Sequence, residues 1–181
     1  MAEHTSKVRL ATVWLDGCSG CHMSFLDIDE RLLALADLIE LVYSPLVDLK
    51  EFPESVDVTL VEGAVSSSSD LEKIKHVRAH TNILIALGDC AVTANVPSMR
   101  NTFGPEAILK RAYLEGDLLN PQIPKNGVPV LLTIVRPVHS VVKVDVFVPG
   151  CPPSAETIFY VISELLAGRQ PDLTAHTRFG A

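Results

Sequence analysis

The sequence has little to offer a nucleic acid or a membrane. Its fifteen lysines and arginines are scattered among twenty-two aspartates and glutamates, for a net charge of -7 and a pI of about 5.3. No basic surface able to neutralise a row of phosphates is expected. No apolar run approaches the roughly 20 residues of a bilayer span; the longest, Val128 to Val135 and Thr157 to Ala167, fall far short. The start, Met1-Ala2-Glu3-His4-Thr5-Ser6-Lys7, lacks the positive and then apolar segments of a secretory or twin-arginine leader, so a cytoplasmic protein that does not cross a membrane is expected. Walker A and G-x-G-x-x-G sequences and internal repeats are also missing, and nothing marks a nucleotide site. Cysteine is scarce, at four residues. In a reducing cytoplasm these are not expected to form two structural disulfides, which leaves metal ligation or redox chemistry.

What is present is a large apolar share. Hydrophobic residues make up 48% of 181, charged residues only 20%, and mean hydropathy is +0.28. That is enough for one full core over residues 1–181, with apolar surface left for a partner chain. The pattern alternates strand and helix. A strand over Val8 to Leu15 leads through a loop to a helix over about Ser24 to Leu38, with Phe25, Ile28, Leu32 and Leu35 as its apolar stripe, and a strand over Ile39 to Tyr43 follows. Further strands are expected over Val56 to Val61, Asn82 to Leu87 and Val144 to Val148. Asn82 to Leu87 is almost continuously apolar, as in a parallel sheet covered by helices on both faces. Ser69 followed by Glu72 predicts a capping box for a helix with Leu71, Ile74 and Val77 inward. Val96 to Phe103 reads as loop, then a helix from Pro105 to a stop at Gly116. Ser154 caps a last helix carrying Ile158, Val161, Ile162 and Leu165, ending at Gly168. Residues 117–142, broken by five prolines and glycines, read as an irregular insertion, and 169–181 as an extended tail.

The cysteines fall where this pattern concentrates a ligand. Cys18 and Cys21 lie in Leu15-Asp16-Gly17-Cys18-Ser19-Gly20-Cys21-His22-Met23-Ser24, Cys90 in Gly88-Asp89-Cys90, and Cys151 in Val148-Pro149-Gly150-Cys151-Pro152-Pro153. Each loop follows a predicted strand, and loops at strand C-termini are where open α/β sheets bind ligands. A close pair plus two distant singles supplies the four thiolates of a 4Fe-4S cluster. Gly17, Gly20, Gly88 and Gly150 beside them let the chain fold closely around a cofactor. A structural zinc site remains an alternative, but usually joins two close pairs. A thioredoxin-like pair at Cys18 and Cys21 leaves Cys90 and Cys151 unexplained, and Gly-Asp-Cys and Gly-Cys-Pro-Pro are poor core sequences for merely buried thiols. His22 and His139, lone loop histidines, are given no role. Asp27, Asp29 and Glu30 read as a solvated helix face. Glu62 leaves its strand at the edge where the cysteines gather.

Taken together, Asp16-Gly17-Cys18-Ser19-Gly20-Cys21, Val61-Glu62-Gly63-Ala64, Gly88-Asp89-Cys90-Ala91 and Pro149-Gly150-Cys151-Pro152-Pro153 resemble the small subunit of nickel-iron hydrogenases, and most closely that of cytoplasmic NAD-reducing members. The resemblance spans Val8 to about Leu166. It implies a flavodoxin-like sheet, one 4Fe-4S cluster on Cys18, Cys21, Cys90 and Cys151, and Glu62 beside it. It implies an oxidoreductase subunit that carries electrons without bond chemistry of its own. The nickel-iron centre belongs to a large-subunit partner, and flavin- and NAD-binding diaphorase subunits complete the complex. The twin-arginine signal and additional C-terminal cluster region of periplasmic members have no counterpart here, which implies a one-cluster form. FMN on the sheet is a further expectation, because the fold is that of a flavin carrier. The related iron-sulfur subunit of respiratory complex I, an NADH:quinone oxidoreductase, shares the late Gly-Cys-Pro motif. Its first cysteines are adjacent, however, whereas two residues separate Cys18 from Cys21.

Overall fold

A computed structural model describes residues 7–177. Five parallel strands form the main sheet: β1 (Val8–Trp14), β2 (Ile39–Tyr43), β3 (Val56–Glu62), β5 (Thr81–Leu87) and β7 (Val146–Val148), in the order β2-β1-β3-β5-β7. Counting only these strands, the order is 2-1-3-4-5, the flavodoxin-like arrangement, with its topological switch point between β1 and β3. The expected α/β architecture is borne out. Two further strands, β4 (Val65–Ser67) and β6 (Leu131–Arg136), pair antiparallel beside it.

Near-continuous apolar strands are needed because both faces are covered. Leu10, Leu60, Ile85 and Leu87 point into one core layer with Phe25, Ile28, Leu35, Ile158, Val161 and Ile162. Val13, Val61, Leu84 and Ala86 point into the other with Ile74, Val77 and Ala91. The first layer is built on α1 (Gly20–Leu26), α2 (Arg31–Leu35) and α6 (Ala155–Leu166). The second is built on α3 (Ser68–Ala79) and α4 (Asp89–Thr93). Among the described residues no helix is long and apolar enough to cross a membrane.

Several local expectations are corrected. The single helix over Ser24 to Leu38 is two short ones, separated where Asp29 takes a left-handed conformation at φ 55°, which Asp tolerates better than most residues. The inward stripe survives because buried Ile28 sits in the break. The α3 capping box is Ser67 with Asp70, not Ser69 with Glu72. In a run of four serines the cap is chosen by where β4 ends, and Asp70 accepts from Ser67 N at 2.9 Å while its own N–H donates to Ser67 Oγ at 3.2 Å. Val96–Thr102 is a 3-10 helix, followed by α5 (Gly104–Tyr113). The stretch 117–142 is not wholly irregular, since it contains β6. Non-local partners hold that strand: Arg100 donates to Leu132 O and Ser66 O, each at 2.8 Å, and Asn101 exchanges two hydrogen bonds with Val135. The tail does not run free over its described part. It turns back on α6, with His176 stacked on Tyr160 at 3.9 Å and Thr157 Oγ1 donating to His176 O. Residues 178–181 of that tail lie outside the described residues.

Candidate metal centre

Neighbouring strands deliver the candidate residues side by side. β1 runs into the loop of Cys18 and the first turn of α1, with Cys21; β3 ends on Glu62; β5 leads to Cys90 in α4; β7 leads to Cys151. All leave from strand C-termini, so the sheet order β1-β3-β5-β7 makes one rim from segments far apart in sequence.

Backbone hydrogen bonds clip these loops together. Leu15 N donates to Glu62 O at 2.9 Å, and Asp16 and Ala64 exchange two bonds at 3.0 and 2.7 Å. Gly63, at φ 91°, lies so close beneath them that a Cβ would meet Leu15 C and Asp16 O at 2.8 Å. On the other side Gly88 N donates to Val148 O, Asp89 N donates to Gly150 O, and Gly150 N donates to the Asp89 carboxylate at 2.8 Å. Ser24 Oγ donates to Pro153 O, tying α1 to the Cys151 loop.

The Cys21 thiol lies directly over Gly88. At φ 81°, a Cβ on this residue would lie 2.2 Å from Cys21 Sγ, 3.4 Å from Gly150 O and 3.6 Å from Pro153. A Cβ on Gly20 would lie 3.2 Å from Cys18 Sγ and 4.0 Å from Pro152. Cys21 is buried, Cys90 half-buried, and Cys18 and Cys151 exposed. Burial first, then the field of Glu62 and of the other three cysteines, pushes the Cys21 thiol far above its ordinary value. Burial and the fields of Cys151 and Cys18 raise Cys90 to about 11. Cys21 and Cys90 thus resist ionising beside the other two, a frustration that bound cations relieve. Among the described residues no three His, Cys, Asp or Glu side chains gather tightly enough to hold a single metal ion.

Glu62 is buried at this rim, 3% exposed. Its Oε2 accepts from His22 N at 3.0 Å and contacts His22 Nδ1, while a Cβ on Gly17 would lie 3.5 Å from its Oε1. His22, assigned no role from sequence, is 1% exposed. Its one sequence signal is its place beside Cys21; Glu62 lies forty residues away. Asp89, not singled out from sequence, opens α4 and accepts from Gly150 N, joining the Cys90 and Cys151 loops. Asp27, Asp29 and Glu30 are exposed as expected, and His139 merely packs on Phe147.

The model of the NADH ubiquinone oxidoreductase 20 kDa subunit family matches residues 18–165. The chain belongs to that family. Within the 20 kDa subunit family it is 43% identical over 177 residues to the delta subunit of the NAD-reducing hydrogenase HoxS of Cupriavidus necator, covering 95% of this chain and 85% of the relative. It is 38% identical over 171 residues to a subunit of the F420-non-reducing hydrogenase vhu of Methanocaldococcus jannaschii, covering 93% of this chain but 59% of that one. The solved NAD+-reducing [NiFe]-hydrogenase in its H2-reduced state contains a chain that superposes with a TM-score of 0.92 at 40% identity, covering 96% of this chain and 99% of that one. A [NiFeSe]-hydrogenase chain from Dm. baculatum, at 19% identity and a TM-score of 0.58, shares the fold over 91% of this chain and 62% of its own. The resemblance read from the four motifs agrees with this membership.

Proposed function

We propose that this chain is the electron-transfer small subunit of a cytoplasmic NAD-reducing nickel-iron hydrogenase, with Cys18, Cys21, Cys90 and Cys151 holding one 4Fe-4S cluster. The observation that carries the reading is that neighbouring strand ends bring all four cysteines to one rim, where Cys21 feels the fields of the other three and a methyl group on Gly88 would collide with Cys21 Sγ. Four sulfurs close enough for Cys21 and Cys90 to feel the fields of the others, supplied as one close pair and two distant singles, suit a 4Fe-4S centre better than one zinc. Bound there, the cluster supplies a one-electron carrier. The chain's own part is to fix four sulfurs, to bring Glu62 beside them, and to exclude water on the Cys21 side.

The partner chains follow from the same rim. Met23 and Leu26 on α1, and Val96, Met99 and Phe103 beyond α4, are exposed around the thiols, Phe103 by 71%. Such a border suits burial against a large subunit that carries the nickel-iron centre, with flavin- and NAD-binding subunits completing the relay. Supporting this is the activity of the relatives at 43% and 40% identity, NAD reduction by a hydrogenase. The spacing of Cys18 and Cys21 weighs against a complex I role. We assign no FMN to this chain, because the proposed cluster takes the place at the strand ends that a flavin would otherwise occupy.

Anaerobic purification should give about four irons and four acid-labile sulfides per chain, and flavin no greater than the diaphorase subunits account for. One zinc with no sulfide would overturn the reading.

A further inference from the structure

Most buried polar groups in this protein have an obvious structural partner; the His22 side chain has an unusual one. Its Nδ1 contacts Glu62 Oε2, the same oxygen that accepts the His22 backbone N–H at 3.0 Å. Both side chains are almost wholly buried. Trp14 meets the imidazole edge-to-face, with centroids 5.2 Å apart, and fixes its plane. Against a carboxylate, which can only accept, a hydrogen bond requires Nδ1 to be the nitrogen that carries the hydrogen. Nε2, on the far side, has no partner among the described residues. The ring position is dictated by Glu62.

We infer that His22 is a positioning residue: through Nδ1–H it clamps the Glu62 carboxylate and offsets part of its charge beside the cysteine rim. The clamp also leaves Oε1 turned toward Gly17 and the Cys18 loop. Unclamped, that charge would oppose the added electron more strongly, since the buried Glu62 carboxylate sits against the backbone of His22, next to Cys21, and against Gly17, next to Cys18. The inference rests on the proposal that the four cysteines hold a cluster, and concerns the poise of the cluster and not its presence.

The test uses the anaerobically purified complex and follows the reduced cluster by electron paramagnetic resonance in a mediated redox titration. His22→Leu fills the space but donates nothing. His22→Asn is smaller, yet its amide nitrogen takes the place of Nδ1. At a fixed potential the reduced-to-oxidised ratio should fall about fivefold in His22→Leu, the size of one lost hydrogen bond, and return toward the parental value in His22→Asn. In a Glu62→Gln background His22→Leu should add nothing, because the charge to be offset is gone. Should His22→Leu not load iron, His22→Val, which also donates nothing, takes its place: a ratio lowered in Val and restored in Asn supports the clamp, and equal ratios in the two overturn it. A fully loaded His22→Leu with unchanged ratio and spectrum, or a good Leu variant beside a poor Asn one, would reduce His22 to packing. A parental complex with no iron-sulfur signal would instead fail the cluster reading itself.

Discussion

The two rims of the main sheet are built from the same strands and have opposite characters. At the N-terminal rim the polar groups have found partners within the chain. Asp57 accepts from Arg9 N at 2.8 Å and from Asn82, Thr59 and Thr81 join hydroxyls at 2.8 Å, and Asp145 accepts from Leu84 N, Arg78 and Lys143. At the C-terminal rim Gly63, Gly88 and Gly150 stand at positive φ under close contacts, and neighbouring thiols add to the burial that raises Cys21 and Cys90. There too Trp14 Nε1 and His22 Nε2 are buried without partners among the described residues. One rim closes the fold; the other packs its backbone so tightly around the thiols that only glycine fits at three positions.

The comparison breaks most decisively at the thiols. Cys151→Ala should abolish cluster loading, and in an assembled complex hydrogen-dependent NAD reduction should collapse while NADH oxidation by an artificial acceptor at the flavin end persists. An assembled, cluster-free variant with undiminished hydrogen-dependent NAD reduction would show that electrons bypass this rim. Next comes Gly88→Ala, which adds a Cβ 2.2 Å from Cys21 Sγ at φ 81°. It should lose on the order of 3 kcal/mol of stability and most of its iron, read by chemical denaturation and iron assay. Full iron content would mean the cradle is softer than it looks.

The paired rim should answer differently. Arg78→Ala removes a donor to Asp145, Thr81 O and Asn82 O and should cost about 1.5–3 kcal/mol with iron content unchanged. Loss of iron in that variant would erase the contrast. Burial works to raise the Asp145 carboxyl, but Leu84 N–H, Lys143 and Arg78 outweigh it and hold it below the usual carboxylate range. A depressed folded pKa contributes stability present above the unfolded pKa of about 3.9 and lost as pH falls through the folded value. Acid unfolding of parent and Asp145→Asn should therefore converge at the acid end.

The smallest effect sits on the thiols of the iron-free chain. Cys90, raised from an ordinary 9.0 to about 11, keeps its proton in the folded state after the unfolded state has lost it. Stability should fall as pH rises from about 9 toward 11, and Cys90 alkylation should lag until that range. Rapid alkylation of Cys90 at pH 8 would contradict its burial among like charges.

Much of the fold was legible in the sequence because local chemistry carried it: short apolar runs rich in Val and Ile suit strands covered on both faces, and Ser154 and Gly168 bound α6 as their backbone preferences require. The cysteines were legible for the same reason, since each loop directly follows its strand. What sequence could not supply came from pairings distant along the chain. The strand β6 exists because Arg100 and Asn101 satisfy its edge, and four serines in a row left the start of α3 undetermined until β4 claimed two of them. His22 is the sharpest case. Beside Cys21 it was one more loop histidine, and only the sheet order, which sets the end of β3 against the loop after β1, placed Glu62 under its imidazole. Periodicity reports which way a side chain faces; which charge waits there is decided when the strands are laid side by side.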